Sequence, residues 1–227
     1  NTLGLVDISS GDPAKFRYQD ERLVVEHVLS QKGLVGTNRD STCGSCLRGT
    51  VFTPDSEVLL VARMGKGGIA GFSIPDGTYL GTLGGEPETP RHLVVSPDGQ
   101  WLWLTSNRSG YVSRIPLERV VAELRAAEGR TVDVDAWDSV HVGGGARTLE
   151  ATADGRWLFA AVNGRAEVVA VDATKWEVVA RVRADSYTVG LDVSPDGSQV
   201  WTTSQGRSGK GGNSVCVFAV TYDDDDE

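Results

Sequence analysis

The chain has 227 residues, 40% of them hydrophobic and 23% charged, with a formal net charge of −9 and three cysteines. That is room for one all-β domain with a substantial core, and no run of 18 apolar residues is present that would cross a bilayer as a helix. The acidic balance excludes a nucleic-acid groove as the main function, because phosphate backbones need a basic face.

In chain order, Thr2 to Ser9 comes first and aligns with Glu167 to Thr174, the third strand of a repeat unit met further on. Residues 1–30 are therefore expected to form the outer two strands of an incomplete unit. A start without Met and without the inner strands predicts that the sequence belongs to a longer chain, with a mature, processed chain as the alternative. Cys43-Gly44-Ser45-Cys46 follows on a loop. Leu47 stands where a c-type haem site needs His, and one Cys pair is too few for a structural zinc unless residues elsewhere complete it. Three readings stand: a small disulfide loop in an oxidising compartment, which is favoured, free thiols in a reducing one, or a completed metal site. Cys216 reads as a buried free thiol packing as a small hydrophobe.

From residue 50 onward the chain repeats itself. Thr53-Pro54-Asp55-Ser56, Ser96-Pro97-Asp98-Gly99, Thr152-Ala153-Asp154-Gly155 and Ser194-Pro195-Asp196-Gly197 are the same turn in the same setting, with an apolar run before and an alternating run after. Successive copies lie 43, 56 and 42 residues apart. A period near 40 with several short strands per unit is the signature of a β-propeller blade. In the third unit, inner strand a is 148–152, strand b 157–162, strand c 167–171 and strand d 178–182; the Asp-Gly turn joins a to b. The 56-residue spacing arises from an insertion: Leu117, Val120, Val121, Leu124 and Ala127 fall on one helical face. This predicts a short helix over 117–128 between strands c and d, capped by Gly129, that covers a blade edge or, alternatively, docks a partner. Ser214 to Val220 is again a third strand, and Asp223 to Glu227 form an acidic tail. The fold class is all-β: a β-propeller of four-stranded antiparallel blades over 1–222, with four to five blades and incomplete first and last ones.

The segments Pro97 to Asn107 and Ala153 to Asn163, each running from the turn through strand b to a closing Asn, resemble the YVTN repeat of YncE-like and surface-layer β-propellers. Val6-Asp7 and Val171-Asp172 fit the pattern, whereas Met64 and Gln205 stand where it has Asn. The resemblance implies a ring of about seven blades and an extracytoplasmic, periplasmic or secreted, location. It says little about function, since such propellers host many roles.

Aligning the repeats exposes a column ahead of strand a. Arg48, Arg91 and Arg147 occupy one register and Val189 the fourth place. Three guanidiniums from successive blades would converge near the channel mouth, and arginine suits bidentate recognition of carboxylate or phosphate. The two readings are an anion-binding funnel, with His92 beside it, and a set of staples in which each Arg bonds the neighbouring blade. His92 and His141 both lie near this entrance in sequence. The loops Gly65 to Gly68 and Gly206 to Gly212 read as rim turns; the second lacks the Ser or Thr of a phosphate loop after Lys210 and joins two strands. Asp55, Asp98, Asp154 and Asp196 read as turn residues, and Trp103, Phe159 and Trp201 share a strand-b register expected to be core between blades. No catalytic motif is visible, and neither a metal site nor a cofactor is expected. The reading is a non-catalytic binding or scaffold propeller that engages a protein partner or a small anion at the channel mouth. The alternatives are a lactonase-like hydrolase acting in the funnel and a structural subunit whose ring another chain or an upstream segment completes.

Overall fold

The computed structural model describes residues 2–24, 46–74, 76–85 and 88–222. Cys43, residues 25–30 of the first expected unit and the acidic tail lie outside them. The first unit is a hairpin, β1 (Thr2–Asp7) with β2 (Arg17–Val24), joined by a short 3-10 turn at Pro13–Lys15. Four sheets follow. Blade I contains β3 (Leu47–Phe52), β4 (Val58–Arg63), β5 (Ile69–Ser73) and β6 (Tyr79–Gly85). Blade II contains β7 (Pro90–Val95), β8 (Trp101–Ser106), β9 (Tyr111–Pro116) and β11 (Asp138–His141). Blade III is β12 (Ala146–Ala151), β13 (Trp157–Val162), β14 (Glu167–Asp172) and β15 (Glu177–Arg183). Blade IV is β16 (Thr188–Val193), β17 (Gln199–Ser204) and β18 (Val215–Ala219). Neighbours within each of these blades pair antiparallel, and the inner strands β3, β7, β12 and β16 lie side by side in that order. This is a partial β-propeller, mostly strand with one α-helix among the described residues.

The repeated turn is held by a closed set of bonds. In blade II the Ser96 hydroxyl donates to Asp98, the Gln100 amide donates to Asp98 Oδ1 at 3.0 Å, and the Trp101 amide donates to Ser96 Oγ at 2.8 Å. Thr53 with Asp55, Thr152 with Asp154 and Ser194 with Asp196 repeat it. The bonds hold these carboxyls below the usual carboxylate range, Asp196 at about 2, chiefly through the neighbouring hydroxyl. The motif's hydroxyl and carboxylate are thus structural partners of each other.

Strand alternation sorts the core. Leu60 of β4 is fully buried with Leu102 and Leu104 of β8, between blades I and II. Trp103 packs with Leu149 and Leu158, between blades II and III, and Phe159 with Leu191 and Val200, between blades III and IV. Leu60, Trp103, Phe159 and Trp201 occupy one register; the first three are 0%, 3% and 5% exposed, whereas Trp201 is 46% exposed. The expectation that Trp201 is core between blades is corrected here: its face of blade IV, with Val215 and Val217, has no blade packed on it among the described residues, so the same side chain meets solvent.

The inserted helix α1 spans Leu117–Ala127 between β9 and β11, and buries Leu117, Val120, Leu124 and Ala127 against both blades. Its cap differs from expectation: Glu128 takes the left-handed C-cap conformation, with φ 50°, and Gly129 follows with φ +78°. After the helix an unanticipated strand, β10 (Thr131–Val134), pairs parallel with β6 of blade I before β11 rejoins blade II. The insertion therefore covers an edge and straps two blades together. Small residues permit the contact: a Cβ on Gly71 would lie 2.6 Å from Leu124, and one on Gly81 2.6 Å from Ala127.

Candidate functional site

Each inner strand begins with the same backbone irregularity. Pairing shifts between Leu47 and Thr50, between Pro90 and Leu93, between Ala146 and Leu149, and between Thr188 and Gly190. The shift is a β-bulge, a device that re-aims side chains at a strand end. Arg48, Arg91, Arg147 and Val189 are the residues inside it. The residue before each strand, respectively Cys46, Thr89, Gly145 and Tyr187, has positive φ. The arginine register is therefore a backbone feature as well as a sequence column.

The strands carrying it touch. A Cβ on Gly49 would lie 2.9 Å from both the Arg91 carbonyl and the His92 Cα, so β3 and β7 meet backbone to backbone beside the first two arginines. Thr105 Oγ1 donates to the Arg147 carbonyl at 2.6 Å, and Thr148 Oγ1 donates to the Val189 carbonyl at 2.5 Å. Asn107, the closing Asn of strand b, donates to the Ala146 carbonyl at 3.0 Å, which gives that motif position a job between blades. In blade I the same place is held by Met64, whose Sδ is 2.9 Å from Arg91 Nη1.

Two of the three guanidiniums, those of Arg91 and Arg147, are perturbed by burial and by their neighbours. Burial, then the charges of Arg147 and Arg48, bring the Arg91 pKa down to about 10. Burial lowers that of Arg147, with Arg48 adding to the effect, and the Tyr187 side chain is near enough to both to enter their electrostatics. Arg48 Nη1 donates to the Leu47 carbonyl at 3.0 Å, and Nη2 lies 3.7 Å from Cys46 Sγ. Among the described residues, no carboxylate is paired with any of the three. The staple reading looks different in this same molecule. Arg114 lies between the rings of Trp101 and Trp176, at 5.0 and 4.2 Å. It also ion-pairs with Asp138 at 2.9 Å and donates to the Ala173 carbonyl at 2.9 Å.

His92 is engaged elsewhere. Its Nδ1 lies 3.0 Å from the Leu149 carbonyl and 3.4 Å from the Leu149 amide of blade III, and burial lowers its pKa. His141 sits edge-on to Tyr111 at 5.1 Å, on the outer strand of blade II. Cys46 is disulfide-bonded and Cys216 is free and half-buried. One step further along the inner strands, Glu150 and Asp192 share a register. Burial, with the Asp192 charge adding, raises the Glu150 pKa to about 7.

Sequence reasoning missed Tyr187. It lies two residues ahead of the arginine register, where the other blades have Cys46, Thr89 and Gly145; only the left-handed backbone recurs there, not a residue type. The loop after β17 joins it, because the Arg207 guanidinium sits 5.9 Å from the Tyr187 ring centroid. Asp185 anchors that loop by accepting from the Gly212 amide at 3.1 Å and the Ser214 hydroxyl at 2.5 Å. Among the described residues no cluster of three metal-ligating side chains occurs.

No family model matches the chain, and no curated protein does. Solved structures are similar to it. Hydrazine synthase of Kuenenia stuttgartiensis shares 18% identity at a TM-score of 0.64, covering 78% of this chain and 47% of its own. A putative 6-phosphogluconolactonase from Bacteroides uniformis shares 19% at 0.52, covering 69% and 47%. A functionally unknown protein from Desulfotomaculum acetoxidans shares 16% at 0.57, covering 77% and 52%. The chain spans about half the length of these structures, and at such identities the likeness is one of fold alone.

Proposed function

We propose that this chain is part of a non-catalytic β-propeller of the YVTN type that binds an anionic ligand, or an acidic patch on a protein partner, at the mouth where Arg48, Arg91 and Arg147 meet. The observation that carries the reading is a set of three mutually repelling guanidiniums at one register, two of them desolvated, with no described carboxylate among them. A fold bears the cost of like charges held together chiefly where a ligand of opposite charge relieves it. Arginine's planar fork suits carboxylate or phosphate oxygens. Anion titration by calorimetry at low ionic strength tests it: binding should weaken with salt and be lost on replacing Arg147 with Ala. Binding that ignores both would refute it. A disulfide at Cys46 supports the extracytoplasmic placement.

A second reading has its own observation. Glu150, with a pKa of about 7, is suited to general acid–base work at neutral pH, and one matched structure is a putative lactonase of a phosphorylated sugar acid. Under this reading the propeller hydrolyses a lactone in its funnel. A lactone-opening assay that shows turnover abolished by Glu150→Gln would favour it; no turnover by the unaltered chain would remove it.

A further inference from the structure

We infer that the ligand of the arginine mouth is a phosphomonoester in its dianionic form, held by Arg48, Arg91 and Arg147 from three successive blades and by the Tyr187 hydroxyl from the fourth. This rests on the anion-binding reading and narrows it.

The first argument is geometric. A carboxylate offers two oxygens with about four acceptor sites, all lying near one plane. The three arginines instead come from bulges at the heads of β3, β7 and β12, strands of three different sheets that lie side by side. They come from three blades, and a carboxylate's acceptor sites, confined near one plane, suit donors from three directions less well than oxygens set around a tetrahedral centre. A phosphomonoester presents three acceptor oxygens around one atom.

The second argument is charge. Three cations around a monoanion leave two charges uncompensated, whereas a dianion leaves one. The repulsion among Arg48, Arg91 and Arg147 is thereby relieved most by the more highly charged ligand.

The third argument concerns what else the mouth displays. Several carbonyls at the heads of the inner strands are occupied. Ala146 accepts from Asn107, Arg147 from Thr105, Val189 from Thr148, and the Leu149 carbonyl faces His92. These inter-blade bonds withdraw backbone acceptors beside the guanidinium donors, while the Glu150 and Asp192 carboxyls stand three residues further along the inner strands. In blade IV the register holds Val189, and the left-handed residue ahead of it is Tyr187, with φ 59°. The fourth side thus supplies a neutral hydroxyl in place of a fourth charge. Arg207 lies 5.9 Å from the centroid of the Tyr187 ring. Tyr187 contacts the ligand.

The test is calorimetric titration of the whole chain at low ionic strength with three probes: glycerol 3-phosphate, sulfate and acetate. The second pKa of a phosphomonoester is about 6. Glycerol 3-phosphate should therefore bind about tenfold more tightly at pH 7.5 than at pH 5.0. Sulfate, a dianion at both, should bind with little change, which separates titration of the ligand from titration of Glu150 or His92. Acetate should bind at least tenfold more weakly than glycerol 3-phosphate at pH 7.5. Arg147→Lys and Arg48→Gln should each weaken glycerol 3-phosphate at least tenfold, and Tyr187→Phe about threefold, with unchanged circular dichroism. Arg183→Gln, on the exposed outer strand of blade III, should leave binding as it was. Acetate binding as tightly as glycerol 3-phosphate, or phosphate binding indifferent to pH, would overturn the phosphomonoester inference and leave the anion site standing. No binding of any probe, or binding untouched by the arginine variants, would overturn both.

Discussion

Arg91 offers the sharpest physical test, because the two readings of the arginine register predict opposite signs for one substitution. Its pKa in the folded protein falls from the ordinary arginine value to about 10, through burial first and the charges of Arg147 and Arg48 next. The unfolded chain therefore holds that proton more tightly than the folded one. The destabilisation is present in full at neutral pH and is relieved only as pH rises through 10 toward the unfolded value. At about 1.4 kcal/mol per tenfold change in proton affinity, the charge costs at most roughly 3.5 kcal/mol. Half-exposure and solvent screening reduce that to about 1 kcal/mol. Arg91→Met keeps much of the aliphatic volume and removes the charge, so it should stabilise the ligand-free protein by about 1 kcal/mol, raising Tm by roughly 2–4 °C for a chain of this size. The assay is differential scanning calorimetry at pH 7 and low salt, with and without glycerol 3-phosphate. Ligand should raise the Tm of the unaltered protein, by about 2.7 kcal/mol of stabilisation at a hundredfold excess over Kd, and leave Arg91→Met nearly unmoved. A Tm that falls on substitution in the absence of ligand would refute this reasoning and restore Arg91 as a staple between blades.

Glu150 makes a pH prediction of the same kind. Its folded pKa of about 7 lies above the unfolded value, so its favourable contribution is full below about pH 4.5 and lost as pH rises toward 7. Glu150→Gln should therefore raise Tm at pH 8 and change it little at pH 4.5; equal shifts at both would contradict the assignment. Phe159→Ala should cost about 3–5 kcal/mol in a chemical denaturation series, and Trp201→Ala less than half as much, because the first side chain is 5% exposed and the second 46%. Similar losses would mean that Trp201 is covered in solution. Gly49→Ala should destabilise by several kcal/mol, since its Cβ would meet the Arg91 carbonyl and the His92 Cα at 2.9 Å; a neutral result would show that β3 and β7 separate easily. Reduction should add the mass of two hydrogens if Cys46 is bonded within the chain, and an unchanged intact mass would argue against it.

The repeat, the strand order within each blade, the Asp turns and the inserted helix were legible in the sequence because each rests on short-range rules. Alternation sets faces, an Asp-Gly turn closes on its own hydroxyl, and apolar residues three and four apart make a helix bury one side. The arginine column was legible for a related reason: the bulge recurs in every blade, so aligned residues share a backbone position. What each side chain meets there was not. His92 and Arg91 are neighbours, yet one engages Leu149 of blade III while the other touches Met64 of blade I. Tyr187 enters the mouth through a left-handed φ that three other residue types also adopt, which leaves no mark in composition. β10 pairs with β6, some fifty residues earlier, and the fate of Trp201 depends on whether a further blade packs against its sheet. Local sequence determines which residues share a face; only the packing of one blade on the next determines what that face touches, because the energy of burial and of charge repulsion belongs to pairs of surfaces and not to either strand alone.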